Sequence, residues 1–377
     1  MSLPINVPHT AMSLETLPIS IQTLYADLVE RAWSGSVSEL TGRGGAVYAR
    51  PAADGRRYLY WQPPTLGGRR AAAEYIGIDN ETNRQRIAAR QETVAARKER
   101  RDMVRSLRAA RLPAPDKMTG DVLAALAEAG AFRLRAAVVG SVAFMSYAGL
   151  LGVRIPASLA RTGDLDIAQF HSVAVAVEDE IGDSFLSLLQ RVDKGFAAVA
   201  SPLDSRHTLR YALRKGEEEV YSVDVLCPLR GPERDRITYL RALRSHAQTI
   251  RYLDYLLYHE VNAAVLHGAG IPVNVPAPER YALHKILVSP MRTSNPRSQA
   301  KARKDIDQAA ALVLALHELR PDDLADAWRE LLDRGPSWRK TAARGLRQLP
   351  AEPRQILADL VPERFGDEVV KVKRSGR

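Results

Sequence analysis

The sequence has very little cysteine: Cys227 is the one cysteine among 377 residues. A single cysteine excludes an intramolecular disulfide and any zinc site built from several cysteines. Because Cys227 lies in an apolar run, we expect a buried, unreactive thiol. The chain also lacks a run of the roughly 18 apolar residues that a membrane helix needs. Its first residues, MSLPINVPHTAMSLETLP, have neither the basic start nor the long apolar stretch of a signal peptide, so we expect a cytoplasmic protein without a membrane partner.

The composition is otherwise that of a globular protein with a basic balance. Apolar residues make up 46% of the sequence, which is enough for a substantial core, and the length predicts two or three domains. The formal net charge is +10. A charge of this sign favours a polyanionic partner, but charge alone does not distinguish RNA, DNA, a nucleoside triphosphate or simple solubility.

The basic residues are concentrated between residues 84 and 111. This stretch has ten Arg or Lys against three acids, and its composition predicts a helix. Two interpretations stand: a solvated helix that links domains, or an electrostatic platform for a nucleic-acid acceptor. Ahead of it, strands at 46–50 and 57–61 are predicted to form a hairpin around an Asp54-Gly55 turn.

The most informative stretch begins with a short apolar run, 136–139, that ends at Gly140 and Ser141. A helical pattern starts directly after it, so a strand is predicted to lead into a helix N-terminus. Glycine permits close backbone approach at such a turn. The serine hydroxyl and the free N–H groups of the first helical turn together form a small anion cradle.

Three aspartates follow on predicted strands. The segment TGDLDIA, 162–168, puts Asp164 and Asp166 on one face of a strand. Two like charges this close repel each other, and hard oxygen ligands suit Mg²⁺ bound together with a phosphate. The third carboxylate, Asp224, interrupts an apolar strand at 220–227, the second of an antiparallel pair that turns at 215–217. An adjacent two-metal site would give Asp224 a partner.

The order of these motifs resembles the nucleotidyltransferase superfamily that includes DNA polymerase β. A little-characterised bacterial branch of that superfamily is similar over much of the chain, through QTLYADLVERA, LRAAVVGSVAFMSYAGLLG, TGDLDIA and ALHKILVSPMR. The resemblance implies an α+β fold. Its parts would be a polymerase β-like core with a small mixed sheet and helices, an N-terminal helix and hairpin region, and a helical C-terminal region.

The resemblance also implies roles for the residues of the motifs. Asp164 and Asp166 would hold two Mg²⁺ ions, with Mn²⁺ as the alternative. Asp224 would hold one of these ions and help to deprotonate the acceptor hydroxyl. Gly140 and Ser141 would grip the terminal phosphates of an NTP substrate.

Further basic residues are implied on a predicted helix at 280–288 and just after it. Lys285 would contact nucleotide phosphates, and Arg292 would neutralise the leaving pyrophosphate. The other interpretation is that both are exposed basic residues in a basic chain. Asp305 is a weaker candidate, because an acid at a helix N-terminus is also favoured by the helix dipole alone.

The domain organisation follows from these assignments. We expect an N-terminal helix and β-hairpin region at 1–83, a basic linking helix at 84–115, the catalytic core at 116–232, a mostly helical C-terminal domain at 233–365 and a disordered basic tail at 366–377. Within the C-terminal domain, leucine spacing predicts helix from 235 to 267.

The predicted function is Mg²⁺-dependent transfer of a nucleoside monophosphate from an NTP to an acceptor hydroxyl, with release of pyrophosphate. The basic helix favours an RNA acceptor such as tRNA, while a protein or a small molecule such as an antibiotic is the alternative acceptor. The alternative function is an inactive nucleotide- or nucleic-acid-binding regulatory module of a toxin–antitoxin or defence system. The presence of all three carboxylates favours the enzyme.

Overall fold

The computed structural model describes residues 15–38, 46–51, 57–62, 73–81, 84, 90–160, 163–171, 180–201, 204–229, 236–292 and 295–362. Within these residues the chain forms twelve α-helices and twelve β-strands. The α+β class predicted from the sequence is therefore confirmed. The predicted basic tail lies outside the described residues.

The described residues of the N-terminal part form two helices and a small antiparallel sheet: α1 (Ile19–Ser38), β1 (Ala46–Pro51), β2 (Arg57–Gln62), β3 (Glu74–Ile78) and α2 (Arg90–Ala109). The predicted pairing of the first two strands is confirmed, and β3 adds a third strand beside β2. The Asp54-Gly55 turn lies outside the described residues. Helix α2 forms most of the described part of the predicted basic helix, and residues 110–115 lie beyond its end.

The middle part supplies the strands that carry the motifs. Its elements are α3 (Lys117–Glu128), β4 (Ala137–Val139), α4 (Gly140–Leu151), α5 (Ala157–Ala160), β5 (Asp164–Ala168), α6 (Phe185–Val192), β6 (Phe196–Ala200), β7 (Thr208–Lys215) and β8 (Glu218–Pro228). The predicted strand-to-helix transition at Gly140 is confirmed, as is the strand beginning at Asp164. Helix α3 begins directly after Asp116, which caps it and accepts a hydrogen bond from the Thr119 N–H.

The C-terminal part adds four strands and six helices within the described residues. They are β9 (Ile237–Leu240), β10 (Ser245–Ile250), α7 (Leu253–Leu257), β11 (Glu260–Val265), β12 (Ile271–Pro276), α8 (Pro278–Val288), α9 (Pro296–Leu319), α10 (Pro321–Asp333), α11 (Pro336–Leu346) and α12 (Ala351–Asp359). The helix predicted from 280 to 288 is confirmed as α8.

The prediction of helix from 235 to 267 is wrong. The region forms β9, β10 and β11 with only the short helix α7. The leucines behind the prediction are buried, so their spacing was a correct signal of burial. Short apolar runs fit a strand as well as a helix, however, and only pairing with the rest of the sheet decides between them.

The larger sheet has the strand order β11-β12-β4-β5-β8-β10-β9, with β7 also paired to β8 and β6 to β7. The three-residue strand β4 lies between β5, which is antiparallel to it, and β12, which is parallel. The Asn274 side chain donates hydrogen bonds of 2.8 and 2.9 Å to the carbonyls of Phe132 and Ala136, and so ties β12 to the start of β4. Strands from both sides of residue 232 therefore share one sheet.

Helices α4 and α8 pack against each other through aromatic side chains. The rings of Phe144, Tyr147 and Tyr281 have centroids 5.1–6.3 Å apart, and all three side chains are fully buried. Aromatic pairs in such edge-on and tilted geometries contribute beyond the apolar area that they bury. The N-terminal end of α4 is thereby held rigidly beside α8.

Helix α2 lies at the other end of α4. Its Met103, Val104 and Leu107 form a small core with Tyr25 and Leu28 of α1. The ring of Tyr25 contacts Gly149, in the last turn of α4. Because a twelve-residue helix is about 18 Å long, the basic helix lies well away from Gly140. No helix among the described residues is long and apolar enough to cross a bilayer.

Candidate active site

The turn from β4 into α4 is the first feature of the site. Gly140 has φ +65°, a left-handed backbone conformation that residues with a side chain rarely adopt. A Cβ added to Gly140 would collide with Oδ2 of Asp166, so the glycine also makes room for that carboxylate. The Tyr281 hydroxyl donates a 2.9 Å hydrogen bond to the Gly140 carbonyl, which fixes the turn against α8. Ser141 follows in the first turn of α4 and is partly exposed.

Strands β5 and β8 place the three predicted aspartates on one face. Leu165 is fully buried between Asp164 and Asp166, whereas both aspartates are partly exposed. The two strands are parallel, and Asp166 lies directly opposite Asp224. Paired residues of neighbouring strands project from the same face of a sheet. The chain thus brings together carboxylates that are 58 residues apart in sequence.

The central carboxylate of this group is difficult to ionise. Burial is the main cause that raises the pKa of Asp166 to about 7, and the carboxylates of Asp164 and Asp224 act in the same direction. Lys285 and Lys301 act against them. A cation placed among the three aspartates would relieve their mutual repulsion.

The two outer aspartates contact cationic side chains of the chain itself. Lys301 of α9 lies with its Nζ 3.0 Å from Oδ2 of Asp164. Arg210 of β7 donates from Nε to Oδ1 of Asp224 and from Nη2 to Oδ2, both at 2.7 Å. This two-point geometry is the strongest form of an arginine–carboxylate contact.

The donor set fits a divalent cation in its chemistry, because carboxylate oxygens are the ligands that Mg²⁺ prefers. Among the residues that the structure describes, however, no three Asp, Glu, His or Cys side chains are arranged as a ready set of metal ligands. Asp164 and Asp224 instead contact Lys301 and Arg210.

A cavity of about 410 Å³ opens over these side chains. Its size is that of a pocket for a small-molecule ligand. Six of the seven predicted site residues line it: Gly140, Ser141, Asp164, Asp166, Lys285 and Arg292. Asp224 does not line the cavity, whereas its partner Arg210 does.

Lys285 and Arg292 line the cavity wall, and both form ion pairs with the buried carboxylate of Asp305. The Lys285 Nζ lies 2.6 Å from Oδ1 of Asp305, and the Arg292 guanidinium donates to Oδ2 at 2.9 and 3.1 Å. Lys285 also lies 5.1 Å from the ring centroid of Tyr281. Burial alone would raise the pKa of Asp305, but the two cations lower it below its ordinary value.

The helix-dipole explanation for Asp305 is wrong. Helix α9 begins at Pro296, so Asp305 lies in its third turn, and its side chain is only 5% exposed. The dipole acts within the first turn of a helix. Asp305 is instead the counter-ion of Lys285 and Arg292, and the interpretation of Lys285 as an exposed residue is wrong as well.

Sequence reasoning missed Arg210, Lys301, Lys304 and Tyr281, all of which lie at the site. Arg210 stands between the buried residues Leu209 and Tyr211, so alternation places it on the opposite face of β7 but does not identify its partner. Its contact with Asp224 depends on the β7–β8 register, in which the two residues are paired. The sequence contains no local signal for that register.

The fold and the site together define a class of protein. Carboxylates on neighbouring strands, a glycine turn at a helix N-terminus and a cavity rich in Lys and Arg suit an enzyme that transfers phosphorus-containing groups. The model of the Nucleotidyltransferase family matches residues 117–333, more than half of the chain. The chain therefore belongs to the nucleotidyltransferase family and is a transferase, and the resemblance drawn from its motifs is confirmed. The matched range contains all seven predicted site residues.

No curated protein matches the chain. The chain is similar to a solved structure of an antigenic nucleotidyltransferase-like protein from Paracoccidioides brasiliensis, with 15% identity, a TM-score of 0.31 and coverage of 61% of this chain and 93% of that chain. A likeness of this size carries no argument about the function of this protein.

Proposed function

We propose that the protein transfers a nucleoside monophosphate from an NTP to an acceptor hydroxyl and releases pyrophosphate, with Mg²⁺ at Asp164, Asp166 and Asp224. The observation that supports this most directly is the shared face of the three aspartates beside the Gly140 turn. When bound there, Mg²⁺ or Mn²⁺ supplies charge neutralisation for the attacking and leaving oxygens.

The protein's own residues position the nucleotide in this proposal. The N–H groups of the first turn of α4, with the Ser141 hydroxyl, bind the terminal phosphates of the NTP. Lys285 and Arg292 lie on the wall of the same cavity and neutralise charge on the phosphates and on the leaving pyrophosphate. Asp224 accepts the proton of the acceptor hydroxyl.

The acceptor is proposed to be an RNA such as tRNA. Helix α2 exposes Arg97, Lys98, Arg101, Arg105 and Arg108 to solvent. A row of cations on one helix binds phosphate backbones without sequence preference. Helix α2 packs with α1 near the last turn of α4, whereas the cavity lies at the first turn of α4, so an acceptor that uses both must be a large molecule.

A labelling experiment tests the proposal. Purified protein, Mg²⁺ and each α-labelled NTP in turn are added to cell lysate, in parallel with Asp166→Asn and with Asp326→Asn. The latter is a charge-matched substitution at an exposed position of α10. We expect label with wild type and Asp326→Asn, and a loss of at least about 100-fold with Asp166→Asn, because the central metal ligand is removed.

The sensitivity of the labelled product to ribonuclease or protease identifies the acceptor class. Equal labelling by wild type and Asp166→Asn would contradict the proposal. A nucleotide-dependent rise in melting temperature without label from any NTP would favour the inactive binding module.

A further inference from the structure

The contact between Arg210 and Asp224 uses both oxygens of a carboxylate that the proposed function assigns to metal. The two bonds are 2.7 Å long, and the Asp224 side chain is only 18% exposed. Arg210 is held in this position by the β7–β8 register, in which it lies directly opposite Asp224. The pairing is therefore built into the sheet.

The contact between Lys301 and Asp164 is looser. A single Nζ–Oδ2 distance of 3.0 Å defines it, and the Lys301 side chain is 47% exposed. Exposed ion pairs of this kind contribute little energy. Arg210 is consequently the more firmly held of these two cations.

A divalent ion on the Asp224 oxygens would bring two positive groups into contact at the same carboxylate. Unit charges of like sign about 4 Å apart repel strongly in a partly buried site. The guanidinium and the metal therefore compete for Asp224. Arg210 already lines the cavity that is proposed to hold the phosphates. When a nucleotide is present, the guanidinium can therefore contact its phosphates in place of Asp224.

We infer that Arg210 is the resident counter-ion of Asp224, and that a divalent metal binds at Asp224 only by displacing the Arg210 guanidinium toward the phosphate-binding cavity. This inference rests on the proposed function, since it needs the aspartates to be metal ligands. It predicts that the metal affinity of the nucleotide-free protein is held down by Arg210.

The test is a Mn²⁺ titration of the full chain in the absence of nucleotide, with free Mn²⁺ measured by electron paramagnetic resonance. The proteins compared are wild type, Arg210→Gln, Arg210→Lys and Arg206→Gln. Arg206 forms a similar two-point contact with Asp204 but is highly exposed and does not line the cavity, so its substitution removes the same charge outside the site.

We expect Arg210→Gln to bind Mn²⁺ about tenfold more tightly than wild type, the size of a typical coupling between two ligands. Arg206→Gln is expected to match wild type. Arg210→Lys keeps the positive charge but cannot make the two-point contact, so an affinity between those of wild type and Arg210→Gln is expected. If Arg210→Gln does not fold, the comparison of Arg210→Lys with wild type decides.

Unchanged or weaker Mn²⁺ binding by Arg210→Gln would overturn the inference. Equal affinities of Arg210→Lys and wild type would also overturn it, because charge alone would then explain any gain. Asp166→Asn separates the two proposals. If it loses the Mn²⁺ binding that wild type shows while Arg210→Gln has no effect, the metal site stands and the inference fails. If neither wild type nor Arg210→Gln binds Mn²⁺, both fail.

Discussion

Gly140 serves two physical requirements at one position. Its positive φ turns the chain from β4 into α4, and its missing side chain leaves space for the Asp166 carboxylate. Each requirement by itself excludes most residues. Their coincidence at a helix N-terminus explains why a glycine stands at this turn, which the sequence marks by a Gly-Ser pair ahead of the aspartates.

Replacement of Gly140 by alanine is therefore expected to affect the site more than the fold. The left-handed conformation costs a residue with a side chain about 1–2 kcal/mol of stability. The added methyl group also moves Asp166, and a displacement of about 1 Å at a reacting centre lowers rates about 100-fold. Nucleotide labelling rates and urea denaturation of Gly140→Ala measure the two effects.

Gly182→Ala is the matched control, because Gly182 has no positive φ and a Cβ there would meet nothing within 4 Å. Wild-type labelling by Gly140→Ala would show that the close approach of Gly140 to Asp166 has no part in activity.

At the scale of elements, Asp305 joins three segments. It lies on α9, and its carboxylate binds Lys285 of α8 and Arg292, which follows the 3₁₀ turn Ser289–Met291. Loss of one partner from a buried ion pair leaves an uncompensated charge, which costs about 3–5 kcal/mol. Asp305 therefore stabilises the packing of α8 on α9 and fixes the positions of Lys285 and Arg292 on the cavity wall.

The stability that Asp305 contributes should depend on pH. Its pKa is lower in the folded protein than the ordinary value of about 3.9, so its contribution is present above that value and is lost as the pH falls through the lower folded pKa. We expect Asp305→Asn to reduce the free energy of unfolding by about 3–5 kcal/mol at neutral pH, and by less near pH 3. Urea denaturation at both pH values measures this.

Glu318→Gln, at an exposed position on the same helix, is the control and is expected to change stability by less than about 0.5 kcal/mol. An equal loss of stability by Asp305→Asn at both pH values would show that the ionised form of Asp305 is not the stabilising one.

Local patterns were sufficient for most elements that carry the site. The β4–α4 turn, β5, and the β7–β8 hairpin were predicted because period-2 alternation and turn residues act over a few positions. The leucine pattern of strands β9 to β11 predicts helix wrongly, because these leucines mark burial without marking the type of element. Arg210 and Asp305 acquire their roles from contacts across strands and helices, which no local pattern contains.

At the scale of the whole molecule, the basic helix and the cavity lie at opposite ends of α4. The net charge predicts a polyanionic partner without indicating where that partner binds. The sequence placed the basic stretch before the catalytic core, but it did not show that α1 would hold this stretch against the far end of α4. An RNA acceptor that contacts α2 must therefore extend along α4 to place its hydroxyl in the cavity.

The separation gives a test that leaves the cavity untouched. Arg97, Arg101 and Arg108 are exposed along α2, and their simultaneous replacement by Gln removes three charges. We expect weaker labelling of RNA and unchanged NTP binding. The logarithmic salt dependence of RNA binding is expected to become shallower by roughly 0.7–0.9 for each RNA phosphate that the variant no longer neutralises. Filter binding at several salt concentrations measures this slope.

A control that replaces Arg329, Lys340 and Arg347 removes the same charge from exposed positions of the C-terminal part. Equal RNA labelling by wild type and the α2 variant would assign α2 to the role of a linking helix.

The position of β4 between β5 and β12 has a consequence for synthesis of the protein. Strand β12 ends at Pro276, more than 130 residues after β4. Helix α9, which carries Lys301 and Lys304, follows later still in the sequence. While the chain emerges from the ribosome, β4 has an unpaired edge, which is a hazard for aggregation until β12 arrives. The Gly140–Ser141 turn is among the first parts of the site to be translated, yet its surroundings are completed last. A prematurely terminated chain would therefore carry the motif without a working site.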